Sequence, residues 1–212
     1  MGRRGPRASP DRGAESWAPS LAALRLVGDG RSVAMLSPDA SVQWWCAPEF
    51  DDLPLCWRLL DSSGGTARFP GLQFVDAEDA PGSSATATTL LRDAVGTIEV
   101  RDAILTGGAG VVLVRLLRRR PSRSGPQQRT VEHELRLGGF DAPPVIWTVE
   151  GESAAGVLES RRHRSMRIRG GRQESRDGAL IVTSSSPTAR GRHWPSASTP
   201  TRTVMPRICW SG

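Results

Sequence analysis

Short apolar segments, separated by Gly, Pro and Asp, recur along the chain from Leu21 to about Leu158. Segments of this kind, bounded by turn residues, are typical of β-strands. The predicted strands are residues 32–36, 41–45, 66–69, 72–75, 87–92, 97–102, 111–117, 131–137, 145–149 and 155–158. Because no strand–helix–strand alternation accompanies them, we expect an all-β fold, an antiparallel β-sandwich with one short helix and disordered termini.

Turn signals and face patterns refine this prediction. Pro38-Asp39-Ala40 predicts a hairpin of the first two strands, and Pro70-Gly71 and residues 93–96 predict two further turns. Residues 111–117 form a continuous apolar run, which is typical of a strand buried on both faces. Residues 131–137 alternate, and place Val131, Leu135 and Leu137 on one face.

The one predicted helix covers residues 53–60. Asp52 can cap it, and Pro54 suits its first turn. Its apolar face would consist of Leu55, Cys56, Leu59 and Leu60.

The two ends differ in composition from the middle of the chain. Residues 1–20 are rich in Arg, Pro and Gly, and residues 184–212 contain mostly Ser, Thr, Pro and Arg without an acidic residue. Such segments bury little apolar surface to offset their ordering entropy. We therefore expect a disordered tail at 1–20, a β-sandwich domain at 21–183, and a disordered tail at 184–212, whose composition is also typical of a frameshifted or truncated terminus.

The excess of positive over negative charge is confined to residues 161–212. All 28 cationic residues are Arg, and the chain has no Lys, Asn or Tyr. Residues 1–160 carry 17 Arg against 20 acidic residues, and residues 161–212 carry 11 against 2. The bias in residue types is typical of a GC-rich genome, so the net charge of +6 does not by itself indicate a nucleic-acid partner, and we expect none.

Three cysteines, Cys46, Cys56 and Cys209, lack the spacing of a metal site and are odd in number. They favour a reducing compartment over a secreted disulfide framework. Residues 1–20 lack the apolar core of a secretory signal, and no apolar run approaches the roughly 18 residues that a membrane helix needs. We expect a cytoplasmic protein without a membrane partner.

Motifs for catalysis, metals and cofactors are missing from the sequence. It contains no phosphate-binding loop and no Gly-x-Ser-x-Gly elbow. His133, His163 and His193 are isolated and are expected at the surface. We predict no catalytic residue, no metal site and no cofactor.

Glu49, Asp51 and Asp52 lie close together in the sequence, directly after Trp44 and Trp45. A glycosidase pair of carboxylates must face each other across a substrate, and neighbours in one loop rarely do. In a regular strand at 41–45, the two tryptophans point to opposite faces. Since Val42 is apolar and Gln43 polar, we expect Trp44 in the core and Trp45 at the rim, where it would stack on a sugar or contact a partner domain.

Residues 27–61 resemble the N-terminal domain of bacterial trehalase-like and glucoamylase-like enzymes, glycoside hydrolase family fifteen. The resemblance lies in VGDGRS at 27–32, LSPDASV at 36–42, WWCAPEFD at 44–51 and RLLD at 58–61. The chain departs from the family pattern in three places. Ala40 replaces a glycine, which suggests a less strained turn, Gln43 replaces an acidic residue, and Glu49 replaces a basic one.

The resemblance implies an accessory β-sandwich that contacts a catalytic helical barrel, in which two glutamates act as general acid and base. No residue here matches those glutamates, and the barrel is expected to be missing or on another chain. The candidate ligand-binding or domain-docking residues are Trp45, Glu49 and Asp51, and α-glucosides are candidate ligands. A free-standing carbohydrate-binding or scaffold module is the alternative, and exposed apolar surface would favour self-association.

Overall fold

The apolar segments form β-strands in a computed structural model, which describes residues 19–78, 85–107, 110–119, 129–140, 143–158, 164–186 and 207–211. A single 3₁₀ turn, Leu21–Ala23, precedes the first strand in this part of the chain. The strands are β1 Arg25–Gly28, β2 Val33–Leu36, β3 Val42–Cys46, β4 Pro54–Cys56, β5 Thr66–Arg68, β6 Gln73–Glu78, β7 Thr86–Arg92, β8 Thr97–Gly107, β9 Gly110–Arg119, β10 Arg129–Arg136, β11 Ile146–Glu150, β12 Ser153–Leu158, β13 Arg164–Arg169, β14 Arg172–Arg176, β15 Ala179–Ser186 and β16 Arg207–Ser211.

The strands form two antiparallel sheets that face each other as a sandwich. Sheet A has the order β1-β2-β3-β5-β10-β15-β14, with β4 also paired to β3. Sheet B has the order β11-β12-β13-β16-β9-β8-β7-β6. The all-β antiparallel prediction is confirmed.

The main core lies between the sheets, because strands from both contribute side chains to it. Sheet A supplies Leu36, Trp45 and Leu135, and sheet B supplies Leu113 and Met166. A second cluster, at one end of the sandwich, consists of Ala40, Phe69, Leu91, Ile98, Val100 and Val131. At the margin of sheet A, Arg25 Nη1 donates a hydrogen bond of 2.9 Å to the carbonyl of Thr88 in β7.

All ten predicted strands are present, although several extend beyond the predicted ends. The prediction that residues 111–117 are buried on both faces is wrong. Within β9, Val111, Leu113 and Arg115 are buried, whereas Leu116 is 47% exposed. On the other face Val112 and Val114 are half-buried, so only the face toward sheet A is fully buried, as is usual for a sandwich strand.

The predicted helix at residues 53–60 does not form. Instead β4 pairs with β3, with Cys56 opposite Trp45 and Pro54 opposite Cys46. Leu55 and Cys56 are fully buried in this arrangement, so tertiary packing outweighs the local helical pattern. Asp52 closes the preceding loop, where its carboxylate accepts the Glu49 N–H at 3.1 Å.

The turn between β2 and β3 is not relaxed by its alanine. Ala40 adopts φ +60°, after a turn in which its N–H donates to the Ser37 carbonyl at 2.9 Å. This is the left-handed position of a three-residue hairpin loop, at which glycine is usual. The expectation of a less strained turn is therefore wrong.

Part of the segment predicted as a disordered C-terminal tail is strand. β15 continues to Ser186, and β16 lies between β13 and β9, with Cys209 opposite both Arg167 and Val112. The remainder of residues 184–212, and residues 1–18 of the predicted tail at 1–20, fall outside the described residues. The structure differs from the prediction because backbone pairing, which composition does not report, orders β16.

Candidate docking surface

Trp45 lies in the core of the sandwich. Its side chain is fully buried, and its indole N–H donates to Ser32 Oγ at 3.1 Å. Ser32 Oγ in turn donates to the carbonyl of Cys46 at 2.7 Å. Trp45 is thus a core anchor of sheet A, and the prediction that it faces the rim is wrong.

A β-bulge at Gln43 explains the reversed faces. Ala34 pairs with Trp45 and Met35 with Trp44, but Leu36 pairs with Val42, so Gln43 is an extra residue in β3. A bulge shifts the side-chain alternation by one residue. Val42 and Trp45 therefore share the core face, although they are three positions apart.

Trp44 belongs to an apolar row on the outer face of sheet A. Leu26 pairs with Met35, and Met35 pairs with Trp44, across β1, β2 and β3. Their neighbours Val27, Ala34 and Trp45 are buried in the core, so these three side chains point outward. We call Leu26, Met35 and Trp44 the outer row. Leu26 is 53% exposed, and the other two are half-buried.

The acidic loop, residues 47–53, continues from the end of β3. Its Ala47–Pro48 peptide bond is cis. Glu49 forms an ion pair with Arg31 of the β1–β2 turn, with Arg31 Nε 3.4 Å from Glu49 Oε2. The hydrogen bond to Glu49 and its charge raise the pKa of Arg31. Glu49 thus has its partner within this chain.

Asp51 is exposed in the same loop. The structure places Glu49 and Asp51 close in one loop but separates both from Trp45, whose side chain lies between the sheets. Phe50 and Leu53 add apolar surface to this loop, with exposures of 66% and 40%. Sequence reasoning missed Leu26, Met35 and Phe50, because residues 33–36 are all apolar and do not distinguish the two faces of the strand.

Cys46 and Cys56 are buried free thiols. Burial raises the pKa of Cys46 to about 11, against a smaller lowering by its hydrogen bond with the Trp44 side chain. Burial also raises the pKa of Cys56, despite the opposing charge of nearby Arg115. A thiol held protonated is a poor nucleophile, so neither cysteine is activated for catalysis.

A second polar feature, buried between the sheets, was also missed. Arg115 of β9 forms an ion pair with Asp102 of β8, with Nε 2.6 Å from Oδ1. The same guanidinium reaches sheet A, where Nη1 lies 2.8 Å from His133 Nε2 and 3.2 Å from the Ala67 carbonyl. Its Nη2 donates to the Ala40 carbonyl. Arg115, Asp102 and His133 are all fully buried.

Phe69 completes this group, which we call the intersheet cluster. Its ring stacks on the His133 imidazole with centroids 4.6 Å apart, and the Arg115 guanidinium carbon lies 4.7 Å from its centroid. The prediction that His133 lies at the surface is wrong, because Arg115 and Phe69 accommodate it in the core. His163 and His193 lie outside the described residues. The arginine within the apolar run 111–117 was the sequence signal for a buried polar group between the sheets.

Among the described residues, no group of three or more His, Cys, Asp or Glu side chains is arranged to hold a metal ion. Within the same ranges, no helix has the length and apolar character to cross a bilayer. Comparison with protein-family models finds no matching family, and a search of curated proteins finds no match.

Proposed function

We propose that this chain is a non-catalytic accessory β-sandwich of an α-glucoside hydrolase of the trehalase or glucoamylase type. In this proposal the outer row packs against the helical-barrel domain that carries the catalytic carboxylates. The observation behind it is the outward-facing apolar row of Leu26, Met35 and Trp44. Two of its members, Met35 and Trp44, lie in the segment that resembles the family, and Leu26 directly precedes it.

The location of the resemblance supports the proposal. Residues 27–61 contain half of β1 and all of β2, β3 and β4, so the similar residues form one margin of sheet A. Leu26 in the outer row, with Phe50 and Leu53 in the acidic loop, exposes apolar side chains at this margin. Exposed apolar patches on soluble domains are typical of contact surfaces, and the same surface would favour self-association of the isolated chain.

The acidic loop supports an accessory rather than a catalytic role. Glycosidase carboxylates flank the scissile bond from opposite sides, separated by roughly 5–9.5 Å. Glu49 and Asp51 lie in one loop, and Glu49 is paired with Arg31. An acid–base pair across a substrate does not follow from this arrangement. The buried free thiols Cys46 and Cys56 are consistent with a reducing, cytoplasmic location.

Docking can be tested with the barrel of a glucoamylase-like enzyme that has been expressed without its own N-terminal domain. Binding to this chain would be measured by titration calorimetry. We expect Leu26→Glu to weaken binding at least tenfold, because it places a charge in the outer row. The matched control is Ile146→Glu, since Ile146 is also an exposed aliphatic residue (69%) but lies on β11 of sheet B.

Ile146→Glu should bind like the unchanged chain. Equal affinity of the two variants would show that the outer row is not part of the interface. Failure of the unchanged chain to bind any barrel of this type would contradict the proposal that such a barrel is its partner.

The catalytic part of the proposal has its own measurement. We expect the purified chain to release no glucose from trehalose or maltose above background, because its acidic loop offers no opposed carboxylate pair. Turnover that survives repurification and is lost in Glu49→Gln or Asp51→Asn would contradict the accessory role.

A free-standing carbohydrate-binding module is the second candidate, and the partial exposure of Trp44 favours it. An indole face open to solvent offers an apolar platform with a polar edge. An α-glucoside bound there would change the tryptophan fluorescence of the chain. The change should disappear in Trp44→Leu and persist in Trp45→Phe, because Trp45 is buried.

A further inference from the structure

The intersheet cluster joins the two sheets through one guanidinium. Arg115 belongs to sheet B, and its partner Asp102 lies opposite it in the same sheet. Its other contacts all belong to sheet A: the carbonyls of Ala40 and Ala67, and the His133 ring. The state of His133 therefore bears directly on this contact between the sheets.

The chemistry of the contact dictates which form of His133 fits. A guanidinium donates hydrogen bonds and cannot accept them. Nε2 of His133, 2.8 Å from Arg115 Nη1, must therefore be unprotonated, and the neutral ring carries its proton on Nδ1. That Nδ1 is buried without a hydrogen-bond partner among the described residues.

We propose that the Arg115–His133 contact is a proton-sensitive lock between the two sheets, which opens when His133 takes up a second proton. Protonation at Nε2 replaces the acceptor lone pair with a donor that faces Arg115. Two buried cations then lie in contact, with the Asp102 carboxylate already engaged by Arg115 at Nε. Separation of the sheets lets water solvate the imidazolium.

The charges around His133 come from each element packed on it. Arg115 of β9 and Asp102 of β8 form the ion pair, and the aromatic face of Phe69 is uncharged. The Cys56 thiol of β4, which is coupled to Arg115, is held neutral by burial. Burial first, and then Arg115, holds the pKa of His133 well below its usual 6.5. The open state, in which His133 is solvated, regains a pKa of about 6.5.

The direction of the pH effect follows from the lower pKa of His133 in the closed state. Above about pH 6.5 both states carry a neutral His133, and the opening equilibrium does not depend on this residue. Below it, the open state binds a proton that the closed state excludes. One excluded proton increases the opening equilibrium about tenfold per pH unit, until the lower pKa of the closed state is reached.

Native-state hydrogen exchange of the β5 and β10 amides between pH 7.5 and 5.5 tests the lock. After correction for the intrinsic exchange rates, we expect opening to be constant above pH 6.5 and to rise toward tenfold per unit below it. In His133→Gln the rise should vanish, because Gln retains a neutral acceptor for Arg115 and does not titrate. A control with His163→Gln and His193→Gln should behave like the unchanged chain.

A second measurement covers the case in which His133→Gln fails to fold. The ¹⁵N shifts of the imidazole in the unchanged chain should show the neutral Nδ1–H form at pH 5.5 while the sandwich remains folded. An imidazolium in the folded sandwich at that pH overturns the lock. A pH slope that persists in His133→Gln overturns it as well, since another group would then be the sensor.

Discussion

At the scale of single residues, two adjacent tryptophans of β3 have different environments. Trp45 is fully buried and hydrogen-bonded to Ser32. Trp44 is half-buried in the outer row, beside Met35. Hydrophobicity alone does not separate the two, because the indole is the same. Their position relative to the bulge at Gln43 decides which one stabilises the core.

We therefore expect Trp45→Ala to lower the free energy of unfolding by about 3–5 kcal/mol, as for other large aromatic truncations in cores. Trp44→Ala should cost only about 1–2 kcal/mol, because its burial is partial. Urea unfolding of both variants gives the comparison. A larger cost for Trp44→Ala would reverse the assignment of the two faces.

At the scale of elements, the β2–β3 hairpin shows how one extra residue is held in place. The buried Gln43 side chain donates from Nε2 to Ser37 Oγ at 2.9 Å. Its backbone carbonyl accepts the Leu59 N–H at 2.9 Å. Asp39 holds the turn itself, where Oδ1 accepts the Ser41 N–H at 3.1 Å. The bulge is thus hydrogen-bonded both to the turn, through Ser37, and to the segment after β4, through Leu59.

Gln43→Ala removes the side-chain hydrogen bond to Ser37 and leaves the backbone hydrogen bond to Leu59 intact. We expect a loss of about 1 kcal/mol in unfolding free energy, the usual value of a buried hydrogen bond. The matched control is Gln73→Ala, because Gln73 lies exposed on the edge strand β6 and should change stability by less than about 0.5 kcal/mol. Equal losses in chemical-denaturation experiments would show that the Ser37 contact contributes nothing.

Local pattern was sufficient for the ten predicted strands, because each contains apolar residues between turn residues. It was insufficient for the bulge, since a one-residue shift leaves the composition of β3 unchanged. The β14–β15 hairpin was missed although Asp177-Gly178, both with positive φ, is a strong two-residue hairpin signal. Of the candidate surface, sequence placed the acidic loop correctly next to the tryptophans but assigned the wrong indole to the exterior.

At the scale of the whole molecule, the intersheet cluster shows what sequence could not provide. Arg115 is conspicuous within an apolar run, but its partners come from β8, β10, the β2–β3 turn and β5. Only the finished sandwich brings these elements together. Such a buried pair is costly to break and need not be strongly stabilising as a whole.

A double-mutant cycle on Asp102 and Arg115 tests that view. Asp102→Leu should lower the unfolding free energy by about 3–5 kcal/mol, because Arg115 is left as an uncompensated buried charge. Arg115→Met should cost a similar amount. The double variant should lose less than the two together, by about 2 kcal/mol or more, measured by urea unfolding. Additive losses would mean that the two side chains act independently.

The position of β16 has a consequence for the order in which the sandwich can be built during synthesis. β16 pairs Cys209 with Arg167 on one side and with Val112 on the other, so it joins β11–β13 to β6–β9 within sheet B. Both blocks are synthesised before residue 207 leaves the ribosome. Until then β13 and β9, the strands that pair with β16 in the finished sheet, each have one unpaired side. Domain formation is therefore completed only after nearly all of these residues have been translated, and the nascent chain is exposed to edge-to-edge association until that moment.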